Sequence, residues 1–399
     1  MADARNAVIV GAGIGGLAAG LALTRAGWDV RIVERAAVAR ELGFGLGLAS
    51  YAVAALGELG VAEEVLAHAA TADSLAALTG GRLMVDIRRL DGRALRSLTF
   101  HRRDLPDVTL PAMVRRPVLH AALLHAVGAE RVDTSSDAVA FEQDASSVTL
   151  RLADGRRLTG DVLIGADGVA SIVRQQLHPG EPPPRPSGYF ALRGISPAVP
   201  LLDGRQFIVY MGRGLEIGVV QVSESLVYWY LSLLADDVRK GRLDAADVLR
   251  RSTAGVDPRF MAIAAAATDM RLDELFAREP LARWGEGRVT LLGDAAHPVL
   301  PHTGQGAAQA LEDAVALGRA LAAPASPAEG LRRYEAVRVP AARQVVRSGP
   351  RIARFTTTRN PVIGVLRSMT IRLVPYSLLR RAVIGAGSGS GAPAVPQGR

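Results

Sequence analysis

VIVGAGIGGLAAGLAL, residues 8–23, decides the fold of this chain. Val8, Ile9 and Val10 are a short apolar β-branched run of the kind a buried parallel strand uses. Gly11, Gly13 and Gly16 follow in GxGxxG spacing, and an alanine- and leucine-rich helix follows them. Gly11 permits the tight turn, Gly13 lets the backbone approach a pyrophosphate, and Gly16 lets helix and strand pack closely. The helix start then offers unpaired N–H groups to phosphates. A second strand, Asp29 to Val33, ends in Glu34, which lies 18 residues past Gly16. That is near the spacing of a carboxylate that binds a ribose hydroxyl, and it would repel a 2′-phosphate. Strand, helix, strand and terminal Glu together predict a dinucleotide site that includes Gly15.

Outside this unit, composition sets bounds. With 399 residues, nearly half of them apolar, the chain exceeds one ordinary core, so two intertwined domains are expected. It has no cysteine, which excludes disulfides, thiolate catalysis, cysteine-ligated zinc and a cysteinyl flavin link. No metal site is expected. A cytoplasmic location fits, since MADARNAVIV is too short for a signal peptide and no apolar run approaches about 20 residues. The net charge of +8 is carried by arginine spread along the chain and read as solvated faces, so no nucleic-acid partner is expected.

Further along, a short helix is expected around Tyr51 to Leu59 and strands from Ser74 to Leu98, with a hairpin turn at Asp91-Gly92. A helix from Met113 to Val127, strands from Val132 to Leu158, and a strand–turn–helix unit in DVLIGADGVASIVRQQL follow. Tyr189 to Leu234 reads as a four-strand antiparallel sheet, the expected substrate domain. Helix is expected over about 245–266 and 328–347, with a weaker helical pair over 361–384.

Three separated motifs resemble the group A, single-component FAD-dependent aromatic hydroxylases, similar to para-hydroxybenzoate, salicylate and 3-hydroxybenzoate hydroxylases. They are the GxGxxG with Glu34-Arg35, then Gly165-Ala166-Asp167-Gly168 with Ser171 and Arg174, and then Gly293-Asp294 continuing through Pro301 to Gly304-Gln305-Gly306. Arg116-Pro-Val-Leu119 looks like the RxxL start of a flavin-contacting helix. The resemblance implies an α/β chain with a Rossmann-like FAD-binding domain (1–73, 97–180, 277–345) and an interleaved antiparallel-sheet substrate domain (74–96, 181–276). C-terminal helices (346–384) and a disordered tail (385–399) complete it. It implies non-covalent FAD held by Gly11, Gly13, Gly15, Gly16, Glu34, Arg35, Gly45, Arg116, Asp167, Asp294, Gly304, Gly306 and Ala307. It also implies a monooxygenase in which NADH or NADPH reduces FAD, O2 adds at C4a, and the hydroperoxide hydroxylates a small phenolic or polycyclic substrate, in specialised metabolism. No second dinucleotide fingerprint is present, so the reductant visits without a domain of its own.

His302 and Pro301 are the catalytic candidates. His302 could help deprotonate a phenol, or be a loop histidine satisfied by backbone. Arg193, Tyr210 and Gln221 are the substrate-binding candidates. The expected substrate is an apolar aromatic or polyunsaturated small molecule. If Arg193 faces the pocket, small aromatic acids lead instead. A flavin-dependent epoxidase or reductase acting on an isoprenoid or polyketide stays open, as does a non-enzymatic flavin-binding protein. A flavin halogenase is disfavoured, because Lys240 sits in a polar turn. The chain is expected as a monomer or homodimer. PVIGVLRSMTIRLVPYSLLRRAVI is expected to pack on the FAD domain and not to lie on a membrane.

Overall fold

The computed structural model describes residues 5–39, 43–78, 81–101, 103, 112–198, 205–223, 225–239, 244–323, 326–376 and 378. The tail at 385–399 and Lys240 lie outside them.

The chain opens with β1 (Asn6–Val10), α1 (Ile14–Arg25) and β2 (Asp29–Val33), with β2 parallel to β1. Next come β3 (Gly45–Leu48), α2 (Ser50–Leu59), α3 (Ala62–Ala67) and α4 (Ala72–Leu78). The strand expected from Ser74 is therefore helix at first. Thr71 and Ser74 exchange side-chain-to-backbone hydrogen bonds of 3.0 Å and cap that helix. β4 (Arg82–Arg89) and β5 (Ala94–His101) then form the expected hairpin, and β5 runs past the boundary drawn at 96. β6 (Ala112–Arg115) pairs with β3, so the helix expected from Met113 starts only at Arg116, as α5 (Arg116–Val127).

β7 (Val132–Asp133) precedes the small antiparallel sheet of β8 (Ala138–Gln143), β9 (Val148–Leu152) and β10 (Arg157–Gly160). β11 (Val162–Gly165) and α6 (Ile172–Leu177) are the strand and helix of the second glycine turn. Then come β12 (Arg185–Pro197), β13 (Phe207–Met211), β14 (Leu215–Gln221), β15 (Leu226–Leu234) and α7 (Ala235–Val238). The single helix expected over 245–266 is two, α8 (Ala245–Ser252) and α9 (Pro258–Ala265). Asp257 caps a fresh start at Pro258. β16 (Asp269–Ala277), β17 (Val289–Leu291), α10 (Gly306–Ala322), α11 (Pro327–Thr356) and α12 (Pro361–Leu373) complete the order. α11 runs nine residues past the expected end, through Pro340 and Pro350.

Two sheets carry the architecture. One is parallel, ordered β17-β11-β1-β2-β7, with α1 and α10 packed together beside it. The chain leaves β1 toward β2 on one side and returns to β11 on the other, so β1 and β11 bracket the switch point where α/β sheets bind ligands. The second sheet has seven strands, ordered β16-β12-β15-β14-β13-β4-β5. The four expected antiparallel strands are its centre. β16 extends one edge, and the β4–β5 hairpin extends the other through a parallel β13–β4 pair.

Alternation divides the second sheet. Leu192, Tyr210, Ile217, Val219, Trp229 and Leu231 point toward α8 and α9, where Phe260 packs against Trp229 and Tyr210. The opposite face carries Tyr189, Ile195, Val220 and Tyr228, packed against Phe44, Met113 and Leu300 of the dinucleotide-binding part. Two expectations fail on this alternation. Tyr210 is core on the helix-covered side, its hydroxyl 3.2 Å from Asp257 Oδ2. Gln221 falls two residues beyond Val219 and opposite Val227, on that same side. α12 also departs from expectation: its buried residues are Arg367 and Ile371, and most of its apolar side chains face outward.

Candidate active site

β1, β11 and β17 end at Val10, Gly165 and Leu291, and the three motifs begin at Gly11, Gly165 and Gly293, on or within two residues of those ends. Backbone bonds lock these turns side by side: Gly11 N donates to Val33 O, Ala166 N to Val10 O and Leu292 N to Gly165 O. Gly11 has φ +102°, and a Cβ at Gly16 would lie 1.8 Å from the Gly11 carbonyl oxygen. The turn is thus closed to side chains. Gly13 caps α1 without a side chain, and no acidic residue lies in the first turn. The N–H groups there remain available to phosphate. The Glu34 carboxylate accepts from Ala12 N and Ala36 N, each at 2.9 Å. A carboxylate oxygen has a second lone pair, so both can still accept from ribose hydroxyls. Arg35 is exposed beside it, and Arg116 opens α5 with its amide bound to Phe44 O at 2.9 Å. Gly45 lies against the Tyr228 ring, where a Cβ would come within 2.6 Å.

The second and third motifs are clamped to one another. Asp167 Oδ2 accepts from Ile172 N at 2.8 Å, while Oδ1 is buried without a partner. Burial raises this carboxyl against its hydrogen bonds. The buried Arg174 donates to Ala295 O at 3.0 Å and Ala296 O at 3.1 Å, and its Nε reaches Glu181 at 2.7 Å. From below, Asp313 Oδ2 accepts from Gly293 N at 3.0 Å and His297 Nε2 at 2.5 Å. Its Oδ1 accepts from Arg338 Nε at 2.7 Å. Arg338 continues to Gln309 Oε1 at 2.8 Å, and Gln309 donates to the Tyr51 hydroxyl at 3.1 Å. This buried network holds the Gly293 loop while Asp294 stays exposed above it.

α10 begins at Gly306, followed by Ala307, after Gly304 in the left-handed conformation (φ +64°). It has no side-chain cap and no acid in its first turn. Two uncapped helix starts, a glycine cradle that a Cβ would fill and the unpartnered Asp167 Oδ1 all fit a dinucleotide cofactor. Asp294→Ala is expected to lower FAD affinity about tenfold, one charge-assisted hydrogen bond being worth about 1.5–3 kcal/mol. Flavin retention on dilution measures this, and an unchanged thermal midpoint should accompany it.

Facing these loops, the second sheet presents Arg193, Tyr228, Tyr230 and Ser232. Arg193 Nη1 is 3.1 Å from Asp273 Oδ2, across the β12–β16 pair. His302 Nε2 is 2.5 Å from Ser232 Oγ, and its ring meets Tyr189 edge-on at 5.0 Å. Neither reading of His302 anticipated this side-chain partner across the two parts of the chain. Burial, then the positive charge of Arg193, lowers the His302 pKa to about 4. His302 is therefore neutral at pH 7. Because its folded pKa lies below the ordinary value of about 6.5, its contribution is present above that pH and lost as pH falls toward 4. His302→Asn is expected to flatten the loss of urea resistance between those limits. Pro301 opens the short turn that carries His302. Asp273, Ser232, Asp313 and Arg338 were missed in the sequence. Asp313 had one signal, as an acid within the apolar stripe of Ala310, Ala314 and Leu317.

The protein family described as FAD binding domain matches residues 5–349. Aurachin C monooxygenase/isomerase of Stigmatella aurantiaca is 33% identical over 371 residues, covering 92% of this chain and 94% of that protein. 3-Hydroxybenzoate 6-hydroxylase of Klebsiella oxytoca is 33% identical, covering 89% of each. The crystal structure of Klebsiella pneumoniae HpxO with FAD and uric acid superposes with a TM-score of 0.86 at 27% identity, covering 99% of this chain and 98% of that one.

Proposed function

The chain belongs to the FAD-binding-domain family of aromatic hydroxylases and is an FAD-dependent monooxygenase; from that premise we propose that it uses NADH or NADPH and O2 to hydroxylate an aromatic ring of low net charge. Bound FAD would supply the redox chemistry that activates dioxygen. The chain's own residues bind and orient it. The α1 start and Glu34 would hold the pyrophosphate and ribose, Asp167 and Asp294 the linking chain, and the α10 start the negative charge of the reduced ring. Arg35 and Arg116 would add positive charge on the adenosine and pyrophosphate side. The sheet carrying Tyr228 and Tyr230 closes over the other side and keeps water from the reacting ring. The proposed substrate domain includes β5 to His101 and β16 to Ala277.

The observation that carries this reading is the convergence of all three motifs on one sheet edge that faces aromatic side chains. Oxygen uptake and NAD(P)H oxidation, screened over phenols with product mass, test it. A product one oxygen heavier is expected. Flavin reduction with no ring oxygenated across hydroxybenzoates, polycyclic phenols and heteroaromatics would overturn it.

Arg193 lies on the facing side, the condition under which small aromatic acids fit. Asp273 engages it at 3.1 Å while also holding Arg271 at 2.6 Å, so the Arg193 guanidinium is already paired, which supports an uncharged phenolic or polycyclic substrate. Asp273→Asn is expected to release Arg193 and lower KM for hydroxybenzoates about tenfold, since bonds to charged groups are worth about 1.5–3 kcal/mol. An unchanged KM would remove Arg193 from substrate selection.

A further inference from the structure

We propose that α12 and the adjoining end of α11 form a docking surface for an anionic lipid bilayer. Val362, Leu366, Met369 and Leu373 are 64%, 56%, 50% and 75% exposed, and their spacing puts them on one stripe of α12. Phe355, at the end of α11, adds to the exposed apolar surface. The opposite face of α12 is anchored. Arg367 is buried and donates to Phe355 O at 3.2 Å, and Arg96 donates to Arg372 O at 3.0 Å. The Tyr376 hydroxyl is bonded to Thr99 O. The helix is thus held with a charged side chain inward and its apolar stripe outward, the reverse of a helix that packs on its own core.

Charge selects the occupant. Through Glu335 the chain has 36 basic against 39 acidic residues, and after Glu335 it has 11 arginines and no acid. The positive charge is therefore not spread along the chain; all of the excess lies in this final stretch. Arg347, Arg351 and Arg354 recur on one face of α11, which borders Arg185, Arg278 and Glu279, and with Arg372 on α12 they are exposed and make no ion pair among the described residues. An exposed apolar stripe within a stretch that carries arginine and no acid is the pattern of a helix lying in a bilayer interface that carries negative headgroups. A second copy fits poorly, because a two-fold contact would set these arginines against themselves. α12 has 13 residues, and no helix among the described residues is long and apolar enough to cross a membrane. The helix would lie on the surface.

Flotation of the full chain with vesicles tests this, with a readout independent of the hydroxylase activity. About tenfold more protein is expected to float with phosphatidylcholine–phosphatidylglycerol vesicles than with phosphatidylcholine alone, falling as salt rises. Leu366→Glu with Met369→Glu should abolish flotation at unchanged FAD content. Arg351→Gln with Arg354→Gln should weaken it several-fold. Equal flotation with both vesicles, none with either, or wild-type flotation by the Leu366/Met369 variant would overturn the proposal. So would a concentration-dependent dimer that dissociates in that variant while neither protein floats.

Discussion

Asp313→Ala is expected to cost about 3–5 kcal/mol of stability, the penalty for removing one partner of a buried ion pair. Asp313 is fully buried and binds Gly293 N, His297 and Arg338, so its loss leaves the Arg338 guanidinium, which is itself 5% exposed, with Glu312 as its one remaining carboxylate among the described residues. Flavin retention should fall with stability, because the Gly293 loop that carries Asp294 loses its support. Burial alone would raise the Asp313 carboxyl, but His297 and Arg338 outweigh it and hold it at about 2. A folded pKa below the ordinary value of about 3.9 means this stabilisation is present above that pH and lost as pH falls toward 2. Urea melts from pH 7 to pH 3 should therefore show a shallower acid limb in the variant. A melt within 1 kcal/mol of wild type at pH 7, set against the about 3–5 expected, would show that the network does not hold the loop.

Gly16→Ala is expected to yield a chain that retains almost no flavin. The added methyl would meet the Gly11 carbonyl oxygen at 1.8 Å, and that atom is backbone in a turn already fixed by the Gly11–Val33 bond. Overpacking of this kind costs about 1–3 kcal/mol even where side chains can yield, so about a tenfold to hundredfold loss of affinity is a lower bound. Gly57→Ala is the control, since nothing lies within 4 Å of its Cβ position and α2 continues through it. Fluorescence of released flavin on gel filtration separates the two. Equal retention would mean that the turn opens more readily than its packing implies.

The sheet edge on which the three motifs meet was legible because its determinants are local. Each turn follows an apolar strand directly, and the glycine spacing states where a backbone must come close. Strand boundaries were least legible where pairing came from afar. Ala112–Arg115 is strand only because Gly45–Leu48 lies beside it, and Met113 by itself reads as the start of a helix. Tyr210 and Gln221 show another limit. Alternation assigns side chains to two faces but does not say which face the helices cover, and α8 and α9 took the one carrying Tyr210.

By itself, the sequence determined the dinucleotide unit, the order of the three motifs and the family, since strand period, glycine spacing and terminal acid are short-range properties of the chain. It also determined that the chain ends in arginine without acid, though only a count by segment reveals it. Tertiary structure alone decided that Asp273 pairs with Arg193, that Asp313 and Arg338 support the Gly293 loop, that Ser232 meets His302, and that α12 turns its apolar stripe outward. Each of those rests on a contact between segments distant in the chain, or on the lack of one. Periodicity reports which side chains share a face, but only the packed neighbours determine what that face meets.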